Sequence, residues 1–124
     1  MRDVTPGDWP EVAAWYRIRG DDAPPLDMMP ASGAIVPGVA AGYMYQTNSK
    51  MCMLEGFITN PLASPEERSA AIDEIARALI AKAEQLGFTY ILALTDNWGI
   101  GRRAIDRHSF VRLGNYEMLI RRSS

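Results

Sequence analysis

The residues able to do chemistry lie in and just after one apolar run. Glu55 stands alone inside Met51-Cys52-Met53-Leu54-Glu55-Gly56-Phe57-Ile58-Thr59, between Leu54 and Gly56-Phe57. A carboxylate partly withdrawn from water has its pKa raised toward neutrality, which suits a general base working near pH 7. A solvent-facing strand glutamate fits the same pattern. Cys52, the only cysteine, lies between two methionines and reads as a small core residue, with no histidine or aspartate near it in sequence to activate a thiol. His108, the only histidine, falls at the end of a short basic stretch, where positive charge stabilises a helix C-terminus. One histidine and one cysteine make a structural zinc site a poor expectation.

These residues depend on a strand-loop-helix-strand unit from Met51 to Leu94. Met51–Thr59 reads as a strand, followed by a polar link with two prolines, Pro61 and Pro65. Ile72, Ile75, Ala76, Leu79, Ile80, Ala83 and Leu86 recur at three- and four-residue steps and form one apolar helical face. Ser64-Pro65-Glu66-Glu67 is a capping box, with Pro65 at the first helical position, so this helix begins near Pro65. Gly87 ends it. Phe88–Leu94 is then a short buried strand. The loop after the first strand of such a unit lies at a helix N-terminus, where free N–H groups and the helix dipole favour a phosphate or carboxylate.

The rest of the chain surrounds this unit. Arg2–Thr5 reads as a short strand. Asp8-Trp9-Pro10-Glu11 opens a helix whose apolar face is Trp9, Val12, Ala13 and Tyr16. Gly20–Gly38, crowded with proline and aspartate, is mostly loop, with Leu26, Met28 and Met29 either plugging the core or covering a pocket. Gly33–Val36, Val39–Gln46 and Met51–Thr59 follow as strands, the last two joined by Thr47-Asn48-Ser49-Lys50. Alternation places Tyr43 and Tyr45 on one face. Asn97 precedes a basic helix over Ile100–Arg107. Phe110–Leu113, Gly114-Asn115 and Tyr116–Ile120 read as a closing hairpin. The order β-α-loop-β-β-β-α-β-α-β-β describes an α+β fold: a mixed, mostly antiparallel central sheet with flanking helices.

Composition narrows the classes. The 124 residues are expected to form a single domain, residues 1–124, and carry a net charge of −2 with a sequence pI near 5.3. No basic footprint for nucleic acid is present, and no apolar run is long enough for a membrane span. Met1-Arg2-Asp3 leads straight into turn and helix signals, so no signal peptide is expected. A lone cysteine suits a reducing cytoplasm.

The element order, with these residues, resembles the GCN5-related N-acetyltransferase (GNAT) family. That family's acyl-CoA signature, between its fourth strand and third helix, is an Arg or Gln, two residues, a Gly, one residue, then Gly or Ala. Pro65-Glu66-Glu67-Arg68-Ser69-Ala70-Ala71-Ile72-Asp73 lies in that place, with Arg68 at the first position and Ala71 and Asp73 in the glycine places. Asn97 after the fifth strand and Arg107-His108-Ser109-Phe110 at the end of the following helix match the family's later pattern. The likeness extends to small divergent members encoded by bacteriophages, which would place the protein in a host cytoplasm.

The resemblance implies an acetyl-CoA-dependent N-acetyltransferase acting on an amine of a small molecule or protein. It implies Glu55 as the catalytic base. It implies acetyl-CoA contacts from the backbone of Phe57, Ile58 and Thr59, where the strand splays, from Arg68, Ser69 and Ala71 toward the pyrophosphate, and from Asn97 toward the pantetheine. Asn97 capping the next helix is the alternative, compatible role. Family members often dimerise through sheet edges or terminal strands, so a homodimer through Tyr116–Ile120 belongs to the same expectation. Three departures favour a second reading, a catalytically degenerate GNAT-fold protein that binds or inhibits a host protein partner. Ala71 and Asp73 replace glycines that admit a pyrophosphate, Glu66-Glu67 places negative charge there, and no tyrosine stands near Ile105, where the family often protonates the leaving thiolate.

Overall fold

A computed structural model describes residues 1–123. The chain forms β1 (Arg2–Asp3), α1 (Trp9–Ile18), β2 (Gly33–Val36), β3 (Ala40–Gln46), β4 (Met51–Thr59), α2 (Pro65–Gln85), β5 (Tyr90–Ala93) and α3 (Trp98–His108), with 3-10 turns at Pro6–Asp8 and Leu26–Met28. The strands lie in sequence order across one five-stranded sheet, antiparallel throughout except for β4 beside β5. This is the α+β architecture expected.

Two-residue alternation in β3 divides the core between the two faces. Ala40 and Met44 pack with Cys52, Leu54 and the buried α2 row Ala71, Ile72, Ile75, Leu79 and Ala83. Ala41 and Tyr43 pack on the other face with Val12 and Trp15 of α1. The α2 side is close-fitting: a Cβ on Gly42 would stand 2.8 Å from the Phe57 ring and 2.9 Å from Ile75. α2 starts as its capping box requires, with Glu67 N–H donating to Ser64 Oγ at 3.1 Å and Ser64 N–H to Glu67 Oε1 at 3.3 Å. It stops at Gly87, whose φ of +87° is the left-handed conformation glycine adopts without cost. At the other end of the chain, Arg2 clamps Asp8 with two bonds of 2.8 and 2.7 Å, holding β1 to the start of α1.

β4 contains a bulge that strand alternation does not anticipate. Ala41 pairs with Ile58 and Tyr43 with Glu55, so Gly56 and Phe57 together oppose Gly42. Gly56 makes this possible with a φ of +71°. The extra residue shifts the phase of the strand. Leu54 and Phe57 both face α2, while Glu55 lies beside Tyr43 and Ile58 packs toward α1.

The closing hairpin expected over Phe110–Leu113 and Tyr116–Ile120 is not formed. Residues 109–123 contain no strand, and the sheet ends at β5. A two-stranded hairpin is marginal unless its apolar face is covered, and the turn pair Gly114-Asn115 cannot supply that cover. The Tyr116 ring lies against Gly114 instead.

Candidate active site

β4 and β5 pair from Met51 beside Tyr90 to Leu54 beside Ala93. β5 ends there, while β4 runs on to Thr59. Glu55 is therefore the first β4 residue beyond the parallel pairing, and the Gly56 bulge follows it directly. The sheet parts at this point and leaves the β5-facing side of the later β4 backbone without a strand partner among the described residues.

Glu55 is half-buried, and desolvation raises its carboxyl pKa above the ordinary carboxylate range. Its surroundings are phenolic. Tyr43 pairs with it across the strands, and its negative charge is felt at both Tyr45 and Tyr16. Burial pushes Tyr43 up to about 12 and raises Tyr16 and Tyr45 as well, so all three stay neutral hydrogen-bonding groups near pH 7. Trp9 stacks at a tilt on Tyr16 and edge-on to Tyr43, with centroids 6.4 Å apart in each case. Tyr45 O–H donates to the Met28 carbonyl at 3.3 Å and fixes the Leu26–Met28 turn over this face. Beside it opens a cavity of about 250 Å³ lined by Trp9, Leu26, Met29, Pro30 and Tyr43, among others. A concavity of about 340 Å³ at the opposite end of β4, between Thr47–Lys50 and Leu86–Phe88, carries no carboxylate or histidine.

The other candidates divide into structural and free groups. The Phe57 side chain belongs to the α2-side core and Ile58 to the α1-side core, so only their backbones are available to a ligand. The Thr59 carbonyl and hydroxyl both accept from Arg19 at the end of α1. Ala71 is buried in the core well inside α2. The Ser69 carbonyl accepts from Arg103 at 3.4 Å. Asn97 caps α3, its side chain accepting from Ile100 N–H at 3.1 Å. Arg68, in the first turns of α2, has a buried Nε with no hydrogen-bond partner. An orphaned guanidinium nitrogen beside a helix N-terminus is chemistry that fits a phosphate.

Asp73, standing in a glycine place of the family signature, does not face an approaching anion alone. Its carboxylate accepts from Arg103 at 2.9 Å, Arg107 at 2.6 Å and His108 at 3.1 Å. Desolvation pushes its pKa up, but hydrogen bonds from Arg103, His108 and Arg107 outweigh this and hold it below the usual range. The negative charge is consumed in docking α3 onto α2. Cys52 is fully buried with its thiol pKa raised by burial, as a core residue. No group of three or more His, Cys, Asp or Glu able to hold a metal occurs among the described residues, and no described helix is long and apolar enough to cross a membrane.

Sequence reasoning missed the Tyr16–Tyr43–Tyr45 setting of Glu55 and the triple pairing of Asp73. The shared face of Tyr43 and Tyr45 was visible in their spacing, whereas nothing local tied Tyr16 or α3 to these partners.

No family model and no curated protein matches the sequence. Among solved structures, the chain is similar to the "Putative acetyltransferase from Agrobacterium tumefaciens str. C58", with a TM-score of 0.65, 16% identity, and coverage of 98% of both chains. At that identity the likeness is one of fold.

Proposed function

We propose that this chain is an acyl-CoA-dependent N-acyltransferase built as one domain, with acetyl-CoA as cosubstrate and an amine of a small molecule or protein as acceptor. The observation that carries this reading is the position of Glu55: a half-buried carboxylate of raised pKa at the point where β4 and β5 part and the bulge opens the ladder. The solved structure that shares the fold is described as an acetyltransferase, and this supports the same class.

In this reading the thioester lies along the unpaired side of β4, against the backbone of Phe57, Ile58 and Thr59. Arg68 offers its free Nε to the pyrophosphate near the start of α2, with Ser69 beside it and Ala71 shaping the helix behind them. Asn97 directs α3 and keeps its amide nitrogen for the pantetheine arm. The acceptor amine approaches Glu55 from the α1 face. Glu55 takes the amine proton directly or through water, the nitrogen attacks the carbonyl carbon, and the C–S bond breaks as the C–N bond forms. A β4 backbone N–H beside the bulge polarises the carbonyl oxygen. The departing thiolate takes its proton from water, since the position near Ile105 holds no tyrosine.

The test is acetyl-CoA turnover with an acceptor panel. Glu55→Gln should lower kcat/KM by about 10²–10⁴-fold and leave acetyl-CoA affinity unchanged. An unaltered rate removes Glu55 as base. Tight capture of a protein partner with no turnover by the parent would favour the degenerate, partner-binding alternative.

A further inference from the structure

The α1 face beside Glu55 has a selective chemistry of its own. None of the nine residues lining its cavity of about 250 Å³ carries a charge. Val4, Trp9, Leu26, Met29 and Pro30 make its walls largely apolar. The Thr5 hydroxyl is already committed to Asp8 Oδ2 at 3.2 Å, so the Tyr43 phenol and the Trp9 indole N–H are the lining side chains left to hydrogen-bond a ligand. The volume suits a single ring with a short chain, since a dry apolar cavity of about 150 Å³ already accommodates benzene.

Two side chains join this cavity to the Glu55 end of β4. The Tyr43 ring stands between Gly33 and Gly56: a Cβ on the first would meet its Cδ1 at 2.9 Å, and a Cβ on the second its Cδ2 at 3.2 Å. Met29 lines the cavity as well, and its methyl lies 3.5 Å from the same Cβ position on Gly56. Tyr45 holds Met29 in place, with its phenol 3.8 Å from Met29 Sδ. A two-carbon chain between a ring and a nitrogen covers one strand spacing, about 5 Å. That is the step from Tyr43 to its cross-strand partner Glu55.

The charges acting on this face are all of one sign. The carboxylates felt at Tyr16, Tyr43 and Tyr45 are Glu55, Asp21 and Asp8, and no cation acts on these phenols. Asp8 is matched by Arg2, whereas Glu55 and Asp21 form no ion pair among the described residues. Arg19, at the end of α1, is held by the Thr59 carbonyl and hydroxyl. Such a face draws in an ammonium group and opposes a ligand carboxylate, which would be desolvated here without a partner. A sugar-like amine would lose hydrogen bonds to water that these walls do not replace. A protein lysine would bring its nitrogen to Glu55 and leave the cavity unfilled.

We propose that the acceptor is a small primary amine whose body is one uncharged aromatic ring on a short chain, with the ring seated in this cavity and the nitrogen at Glu55. The inference rests on the acyltransferase reading and narrows its acceptor class.

Two readouts on the full chain separate the inference from the reading beneath it. Calorimetry should show phenethylamine binding about tenfold or more tightly than L-phenylalanine, which differs only by a carboxylate. Thiol release from acetyl-CoA should favour phenethylamine by the same margin over L-phenylalanine, spermidine and a lysine peptide. Ala31→Phe, at an exposed lining position, should raise both Kd and KM for phenethylamine and leave acetyl-CoA affinity unchanged. Leu26→Arg should shift the preference toward L-phenylalanine. Equal binding of the two ligands, or an Ala31→Phe protein unchanged toward phenethylamine, would overturn the inference. Faster turnover of L-phenylalanine, spermidine or the peptide would overturn it too, and would leave the acyltransferase reading standing. Selective phenethylamine binding without thiol release from any amine would support the ligand class and overturn the acyltransferase reading.

Discussion

Glu55 is a residue at odds with its own fold. Desolvation raises its folded-state pKa, so the stability it allows is present below its unfolded pKa and lost as pH rises through the folded value. At neutral pH the ionised carboxylate is a cost to the fold. The same shift makes it a better proton acceptor. Glu55→Gln should therefore raise the melting temperature at pH 7, leave it unchanged near pH 4, and abolish the rising limb of the pH–rate profile. Equal melting shifts at both pH values would show that the carboxylate is not desolvated. Gly56 is the other residue on which the site turns. An alanine there must adopt a φ of +71° with its Cβ 3.2 Å from the Tyr43 ring. Gly56→Ala should cost about 1–2 kcal/mol by denaturant unfolding. It should also lower turnover, because flattening the bulge moves Glu55.

Among the elements, α3 depends most on a single distant side chain. Asp73 of α2 receives Arg103, Arg107 and His108 from α3, and α3 buries no residue of its own. Asp73→Asn should destabilise this docking by about 1–3 kcal/mol. Hydrogen exchange of the α3 amides should accelerate selectively while those of β3 and β4 keep their protection. Uniform acceleration would mean that the clasp is part of the global fold rather than a local latch. The helices themselves were legible in sequence because their signals are local: the Ser64–Glu67 box, the apolar row from Ile72 to Leu86, Gly87, and Asn97 before α3. The bulge was not, since a glycine within an apolar run does not say which partner residue it will oppose. The hairpin over Phe110–Ile120 was overread for a related reason. Alternation and Gly114-Asn115 state a propensity for strands, but a strand exists only where an edge receives it.

At the scale of the molecule, two lowered carboxylates set the acid limit. Asp8 is held below the usual range first by the hydrogen bonds from Arg2 and then by the Thr5 backbone, and Asp73 by its α3 partners against desolvation. A depressed folded-state pKa contributes stability above the unfolded value, near 3.9, that is lost as pH falls through the folded value. The melting temperature should rise as pH falls from 7 and Glu55 takes up its proton, and should then fall below roughly pH 4 as Asp8 and Asp73 lose their charge. Asp8→Asn and Asp73→Asn should each reduce that fall. An acid transition unaltered in both variants would assign it to other groups. What was legible was the placement of Glu55 inside the β4 run, of Arg68 in the first turns of α2 and of Asn97 at the start of α3, because those signals are local. The roles of Tyr16 and Asp73 were not legible, since they arise only when α1 and α3 are folded onto the sheet.

In the proposed function, an acyl-CoA occupies the parting of β4 and β5 with its pyrophosphate on Arg68. Calorimetric titration of the full-length protein with acetyl-CoA tests it most directly, with Arg68→Ala as the comparison. Micromolar binding, about −8 kcal/mol, that weakens at least tenfold in Arg68→Ala is the result expected if the proposed function holds. No binding at millimolar acetyl-CoA, or equal affinity in the two proteins, would contradict it.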